Sequence, residues 1–494
     1  MITFLICIIA LVAGYLLYGR FIDYYFGMQP ERKTPAITQA DGVDFIPLPA
    51  WKIFMIQFLN IAGLGPIFGA ILGAMYGPVA YIWIVLGCIF MGAVHDYFSG
   101  MLSIRNNGDS LPELVGRYLG VTVKNFLRVF TLLLLIFVGV AFVTGPAKLL
   151  QTMTNLDIRV WLYLIFAYYL LATLLPINKI IGRIYPVFGV SLLIMALGIG
   201  GSIIFKSLNG TLQMTELSMS SLRNFHNNPE INILFPMLFI VISCGAISGF
   251  HATQSPLMAR CVKNEKQGKS IFYGAMIVEG IVAIIWATAA MNYFNDVHGL
   301  NYTLSNPLVS DSSITPDPAW VVNEICNTWL GKVGAIFAVI GVIACPITSG
   351  DTAFRSARLI IADVFRIKQS GIKNRLLVSI PIFIIGFILT FIMKDEFGRI
   401  WKFVGISNQS LATIVLWSAA MYQALKKKNH WLLSIPATFL TTICITYIMV
   451  APNKSAGLAM PVNLGYITGV LGGLGILTLF LISARRKTQS YNLS

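Results

Sequence analysis

Gln57-Phe58-Leu59-Asn60-Ile61-Ala62-Gly63-Leu64-Gly65-Pro66 sits in the middle of an otherwise apolar helical stretch, Trp51 to Tyr76. Glycine at 63 and 65 and proline at 66 end a helix there, and the apolar residues beyond begin another. A second stretch, Ile231 to Arg260, is interrupted over Ser248-Gly249-Phe250-His251-Ala252-Thr253-Gln254-Ser255-Pro256. Lipid offers a bare backbone no hydrogen-bond partner. Such breaks persist only where protein or a water-filled cavity satisfies the freed groups. Two breaks near mid-membrane, in corresponding positions of two halves, are the pattern of a secondary transporter with inverted repeats. Ordinary Gly/Pro kinks in packed helices are the bland alternative.

Working outward, the composition agrees with a membrane setting. Of 494 residues, 56% are hydrophobic and 11% charged, with a mean hydropathy of +0.76. A soluble domain carries about 25% charge. The apolar residues fall in blocks of about 20, the length that crosses a bilayer core, and the alternating pattern of a membrane β-barrel is absent. About thirteen spans can be drawn, near 1–19, 52–76, 78–104, 124–147, 160–176, 182–205, 232–258, 270–293, 333–351, 377–394, 400–424, 431–450 and 464–483. The first reads as a span rather than a cleaved signal peptide, because it has no basic n-region and Tyr15, Tyr18 and Arg20 replace a small-residue cleavage site.

The net charge of +15 invites a nucleic-acid reading, but its distribution points to the lipid bilayer as partner and not to nucleic acid. Lys and Arg collect in alternate loops, and from Ser270 to Gly331 there is none, while Asp296, Asp311, Asp317 and Glu324 are present. This is the positive-inside rule. It predicts an outside N-terminus and an inside C-terminus. Two blocks of five spans follow, with opposite topology. The predicted fold is therefore an all-α polytopic protein with a five-plus-five inverted-repeat core and discontinuous helices. Its parts are 1–50 (a span and an inner loop), 51–205 (first repeat), 206–231 (outer connector), 232–424 (second repeat) and 425–494 (two spans and an inner tail). The segment 319–330 reads equally as an outer gate or an interfacial helix. Seven scattered cysteines without CxxC spacing read as apolar packing residues.

Ionisable groups inside spans are costly and are functional candidates by default. Asp96, Glu279 and Asp351 are the candidate coupling carboxylates, because a carboxylate in apolar surroundings is suited to take up and release a proton as those surroundings change. Asp96 could instead join a gate ion pair, with Arg105, Arg260, Arg355 or Arg358. Asp351 could pair with Arg355 one turn on. His251, in the second break, could meet an anionic solute or relay a proton. His95 with His251 could suggest a metal or haem pair, but no further ligand motif supports one, so no metal site and no cofactor are expected. Thr348 and Ser349 could add hydroxyl oxygens to a cation site, or simply bond their own helix. Half-helix N-termini suit a carboxylate and freed carbonyls suit a cation. The candidate solute site is thus Asn60, Ala62, Gly63 and Gly65 with Ser248, Gly249, Phe250, His251 and Thr253. The expected solute is small and anionic or zwitterionic, driven by H⁺ or Na⁺. No Walker A loop or GxSxG elbow is present, which speaks against ATP-driven transport by this chain and against an enzyme.

At these motifs the chain resembles the carbon starvation protein A (CstA) family. The likeness is carried by Gln57 to Pro66, Gly92-Ala93-Val94-His95-Asp96, Ser103-Ile104-Arg105-Asn106-Asn107-Gly108-Asp109-Ser110-Leu111, Ser248-Gly249-Phe250-His251-Ala252, Val278-Glu279-Gly280 and Asp351-Thr352-Ala353-Phe354-Arg355-Ser356-Ala357-Arg358. The resemblance implies a bacterial cytoplasmic-membrane importer used when preferred carbon runs short. It also implies peptides or pyruvate as solutes and a place among the amino acid–polyamine–organocation transporters. Many members are longer than this compact form, and His95 stands where longer members often have Gln. A Na⁺-coupled amino-acid symporter and a membrane nutrient sensor are the alternatives. The short tails, with no output domain, count against the sensor.

Overall fold

The computed structural model describes residues 1–494 except 155, 175–180, 307–315, 370, 394–396 and 492–494. The described residues form helices and no strand. In chain order they are α1 (Ile2–Phe26), α2 (Ala50–Ile61), α3 (Gly65–Ala74), α4 (Val79–Arg105), α5 (Leu111–Leu119), α6 (Val121–Thr154), α7 (Ile158–Leu174) and α8 (Ile181–Leu208). Then follow α9 (Gly249–Ala259), α10 (Glu265–Tyr293), α11 (Val297–Ser305), α12 (Pro318–Phe365), α13 (Ile372–Met393), α14 (Phe397–Leu425), α15 (Trp431–Val450) and α16 (Val462–Tyr491). Among the described residues, nine helices are long and apolar enough to cross a membrane, and the bent pair α2–α3 makes a tenth. The three other expected spans fall on the shorter α7, on the broken stretch 234–259 and within the long α12.

Burial sorts the bundle. In α10 89% of the most apolar window is buried, against 22% in α16, so α10 lies in the core and α16 on the lipid-facing rim. Around α10 pack α2, α3 and α4, and α2 in turn contacts α8, α9 and α12. Both interrupted segments therefore lie at the centre.

The first break falls where the sequence places it. Residues 62–64 leave the helix, and α2 and α3 meet at 53°. Proline at 66 cannot donate to the carbonyl of Ala62 and its ring crowds that oxygen. The freed Ala62 oxygen instead accepts the Cys345 thiol from α12 at 2.6 Å.

The second break lies earlier than the sequence reading put it. Short helical pieces run from Leu234 to Val241, residues 242–248 are unwound, and 249–256 is regular helix, the first part of α9. Pro256 is absorbed within α9, where the Thr253 hydroxyl bonds Phe250 O (2.6 Å) and the Ser255 hydroxyl bonds His251 O (3.1 Å). The chain opens instead at Ser243-Cys244-Gly245-Ala246, where small side chains let neighbours reach the backbone. Trp83 Nε1 donates to Ile242 O at 3.2 Å. A Cβ on Gly92 of α4 would lie 2.2 Å from Ala246 O.

The two breaks cross each other. A Cβ on Gly65 would fall 2.0 Å from Cys244 Cβ, and one on Gly63 would meet Phe142 and the Ser349 hydroxyl.

The bundle has chemically distinct ends. At the basic end, Arg105 forks onto Glu265 (3.0 and 2.9 Å) and donates to Tyr422 Oη (2.8 Å) and Gly27 O (2.6 Å). The segment 27–50 docks there through Gln29 N to Glu265 (2.7 Å), Asn264 to Pro30 O (2.8 Å) and Leu48 N to Cys261 O (3.1 Å). At the opposite end, Asn301 of α11 holds Met75 O and Phe225 O at 2.9 and 3.2 Å. The segment 319–330 lies in the first part of α12, a helical piece set off from the rest by a non-helical Gly331, whose φ of +66° favours glycine. Tyr293 Oη contacts Thr328 at 2.7 Å and Glu324 at 3.3 Å on this piece.

Candidate functional site

Each suspected ionisable group comes from a different helix, and folding joins four of them in one row. His95 and Asp96 lie on α4, His251 on the first turn of α9 and Glu279 in the middle of α10. All four side chains are 0% exposed. His95 Nδ1 meets Asp96 Oδ1 at 2.8 Å, His251 Nδ1 meets Asp96 Oδ2 at 3.0 Å, and His251 Nε2 lies 3.4 Å from Glu279 Oε2.

An ionised carboxylate only accepts hydrogen bonds, so Asp96 fixes both imidazoles with a proton on Nδ1. Their Nε2 atoms remain available. Neither has a hydrogen-bond partner among the described residues, and neither do the two Glu279 oxygens. Glu279 and His251 Nε2 thus face each other across 3.4 Å. The sequence suggested arginine partners for Asp96, and the structure corrects this. Arg105 is committed to Glu265, Arg260 donates to Gly108 O (2.9 Å), and Arg355 and Arg358 face Asp44.

A second polar group forms at the end of α2. Ser349 Oγ donates to Leu59 O (3.1 Å) and Cys345 O (3.0 Å), and Thr348 Oγ1 to Cys345 O (2.8 Å). Thr352 Oγ1 reaches Asn60 Oδ1 at 3.5 Å. The Cys345 thiol lies 3.4 Å from Leu59 O and 2.6 Å from Ala62 O. Asp351 stands apart from the histidine row and accepts Tyr185 Oη at 2.6 Å.

Of the predicted solute-site residues, Ser248 holds the N-cap position of α9 without a side-chain capping bond, and Phe250 meets Phe142 edge-on with centroids 5.8 Å apart. Gly249 packs tightly on α14, where a Cβ would lie 2.4 Å from Leu411 Cβ. Thr253 O accepts Ser356 Oγ at 3.2 Å. Asn60, Ala62, Gly63, Gly65, Ser248 and His251 are all buried, so the breaks are closed off from both ends. Sequence reasoning missed Cys345, Tyr185, Phe142 and Asp44. Cys345 sat one turn before Thr348 and Ser349 and was read only as packing. Among the described residues, no group of three or more His, Cys, Asp or Glu is arranged to hold a metal ion.

With this geometry in view, the comparisons bear on the family. The family described as carbon starvation protein CstA matches residues 1–147, 143–306 and 312–447. The chain belongs to that family. An Escherichia coli (strain K12) relative named "Peptide transporter CstA" is 25% identical over 89% of this chain and 80% of its own length. An E. coli relative named "Pyruvate/proton symporter BtsT" is 26% identical over 57% of this chain and 48% of its own length. A Haemophilus influenzae relative, described only as an uncharacterized membrane protein, is 44% identical over 62% of this chain and 94% of its own length. Among solved structures, a manganese transporter of Eremococcus coleocola superposes with a TM-score of 0.55 at 15% identity, covering 91% of this chain and 99% of that one. At that identity the likeness concerns the fold alone. This CstA-family chain is thus a multi-pass membrane protein whose named relatives are transporters.

Proposed function

We propose that the protein is a proton-coupled importer of small carboxylate-bearing nutrients, pyruvate or short peptides, working by alternating access in a bacterial cytoplasmic membrane. In this reading the basic end faces the cytoplasm, as the positive-inside rule requires. The N-terminus is then outside and the C-terminus inside, and 51–205 and 232–424 are the two halves that rock about the crossed breaks. The observation that carries the reading is the buried row His95–Asp96–His251–Glu279, with His251 on the first turn of α9. The N–H groups at that helix start are the natural partner of a solute carboxylate. The adjoining imidazole and Glu279 hold the proton. The relatives' names, one a peptide transporter and one a pyruvate/proton symporter, support both the solute class and the ion. The family's description, carbon starvation protein, supports use of the importer under carbon starvation. No cofactor or catalytic step enters this cycle.

A second reading takes Na⁺ as the coupling ion. It is favoured by the oxygens of Leu59, Ala62, Cys345, Thr348 and Ser349 converging at the end of α2. Uptake of labelled pyruvate and a labelled dipeptide into proteoliposomes, under a pH gradient and then a Na⁺ gradient, separates the two. Accumulation with the pH gradient alone is the expected result. Accumulation with Na⁺ alone transfers coupling to the α2 oxygens, and no uptake of either solute in vesicles holding folded protein refutes the importer.

A further inference from the structure

Arg355 and Arg358 lie three residues apart on α12, so their guanidinium groups leave the same helix face. Both are sealed from solvent, at 1% and 0% exposure. The carboxylate opposite them is Asp44, on the segment between α1 and α2. Its Oδ1 is 3.8 Å from Arg355 Nη1 and 3.8 Å from Arg358 Nη2. That distance attracts charge but lies beyond hydrogen-bond reach. Arg355 donates to Ala172 O at 2.7 Å. By contrast, Nε, Nη1 and Nη2 of Arg358, and Oδ1 of Asp44, have no hydrogen-bond partner among the described residues. A fully buried guanidinium in that condition is a costly arrangement to keep without a use. Buried Arg375 and Asp351 lie within electrostatic range of Arg358, so among these described residues three arginines face two carboxylates.

The surroundings show where this charge would be used. Asp44 lines a cavity of about 680 Å³ at the basic end, together with Phe45, Arg260, Leu359, Ala362 and Asp363. Between that cavity and the crossed breaks, α9 and α12 close on each other at the Ser356–Thr253 contact. Asp44 itself is held in place by a turn in which Asp41 Oδ1 accepts the N–H groups of Val43, Asp44 and Phe45 at 2.8, 2.9 and 2.9 Å. The carboxylate is thus presented on a short arm whose attachment is hydrogen bonds rather than membrane-spanning structure.

We propose that Arg355 and Arg358 form a carboxylate-binding site at the inner end of the solute path. In the closed state the protein's own Asp44 occupies it, loosely. When the segment 27–50 moves off, the solute's carboxylate replaces Asp44 and takes the hydrogen bonds that Arg358 lacks. The planar guanidinium fork matches a carboxylate in two parallel bonds, so the site accepts monocarboxylates and rejects their neutral amides. The proposal rests on the reading of the solute as a carboxylate.

The test uses the full chain in nanodiscs with Ala362→Cys as reporter. Ala362 is buried, lines the cavity and lies one turn beyond Arg358. All seven native cysteines are buried, and the parent protein gives the background. Asp44→Asn in this background is expected to raise the maleimide labelling rate about tenfold, the effect of about 1.4 kcal/mol. Pyruvate should reverse that rise while pyruvamide does not, and Arg358→Gln should abolish the protection. If Arg358→Gln does not fold, Arg358→Lys keeps the charge but not the fork, and protection should need about tenfold more pyruvate. Faster labelling that pyruvate and pyruvamide slow equally, or not at all, overturns the site. If proteoliposomes take up neither pyruvate nor peptide but pyruvate still protects, the function above falls and the arginine site stands.

Discussion

Glu279→Gln keeps the shape of the buried row and removes its capacity to exchange a proton. The amide can still bond His251 Nε2, across what is now 3.4 Å, so the fold is expected to survive. In the proposed cycle Glu279 and His251 Nε2 share one exchange position while His95 Nε2 keeps its state, so one proton moves per cycle. One proton descending a gradient of one pH unit supplies about 1.4 kcal/mol, enough for about tenfold accumulation of a co-transported solute. In proteoliposomes with the membrane potential clamped, the wild type should therefore approach tenfold at one unit of imposed gradient. Glu279→Gln should only equilibrate. Counterflow, in which labelled and unlabelled solute exchange without net proton movement, should persist within about twofold, since the solute contacts are untouched. A variant that still accumulates tenfold refutes Glu279 as the carrier. A wild type reaching about a hundredfold refutes the single exchange position.

Gly65→Ala places a methyl 2.0 Å from Cys244 Cβ and 2.5 Å from its sulfur, well inside contact distance. Overpacking of this kind costs about 1–3 kcal/mol. The melting temperature in detergent should fall, and Cys244→Gly should restore part of it; no loss in the single variant would mean the breaks do not cross as described. Ser349→Ala removes hydroxyl bonds to Leu59 O and Cys345 O. With proton coupling, pH-driven accumulation should change by less than about threefold, whereas abolition of a Na⁺ dependence would support the other ion. At the acidic end, burial, with the charge of Lys402 nearby, lowers His226 from its ordinary 6.5 to about 4. Its folded form is neutral, so its contribution is complete above pH 6.5 and drains as pH falls towards 4. Proteolysis of the connector 209–233 should increase over that window, and His226→Gln should flatten the dependence.

The sequence makes the helical class and the first break legible because both rest on local chemistry: apolar blocks long enough to span, and a proline that ends α2. The second break lies earlier than Pro256 suggests, because that proline is absorbed within α9. In the fold, Thr253 and Ser255 bond carbonyls of α9 while the chain opens at small residues contacted by α4 and Trp83. The importance of His95, Asp96, His251 and Glu279 was visible one at a time, since an ionisable residue in a span is conspicuous. Their union in a row was not, because it depends on how α4, α9 and α10 are rotated against one another. Asp44 was less visible still. It lies in a polar loop where a carboxylate is ordinary, and only the docking of that loop against α12 buries it.

In the proposed cycle, the placement of the second break just before His251 would let the solute and the proton act on one another. Gly249 opens α9, so the N–H groups of its first turn and the His251 imidazole belong to a single turn. A carboxylate drawing on those N–H groups pulls the same backbone that sets the gap between His251 and Glu279. Coupling requires only that solute binding and proton position favour the same one of two arrangements of this turn. The crossing of Gly65 against Cys244 ties the α9 entrance to the end of α2, so a shift of the turn moves the two half-helices together. Had the chain unwound over 248–256, His251 would sit on flexible backbone, and a proton moving to Glu279 would leave the solute unaffected. A regular α9 beginning at Gly249 makes the histidine a lever, and for that reason the corrected position of the break strengthens the transport reading.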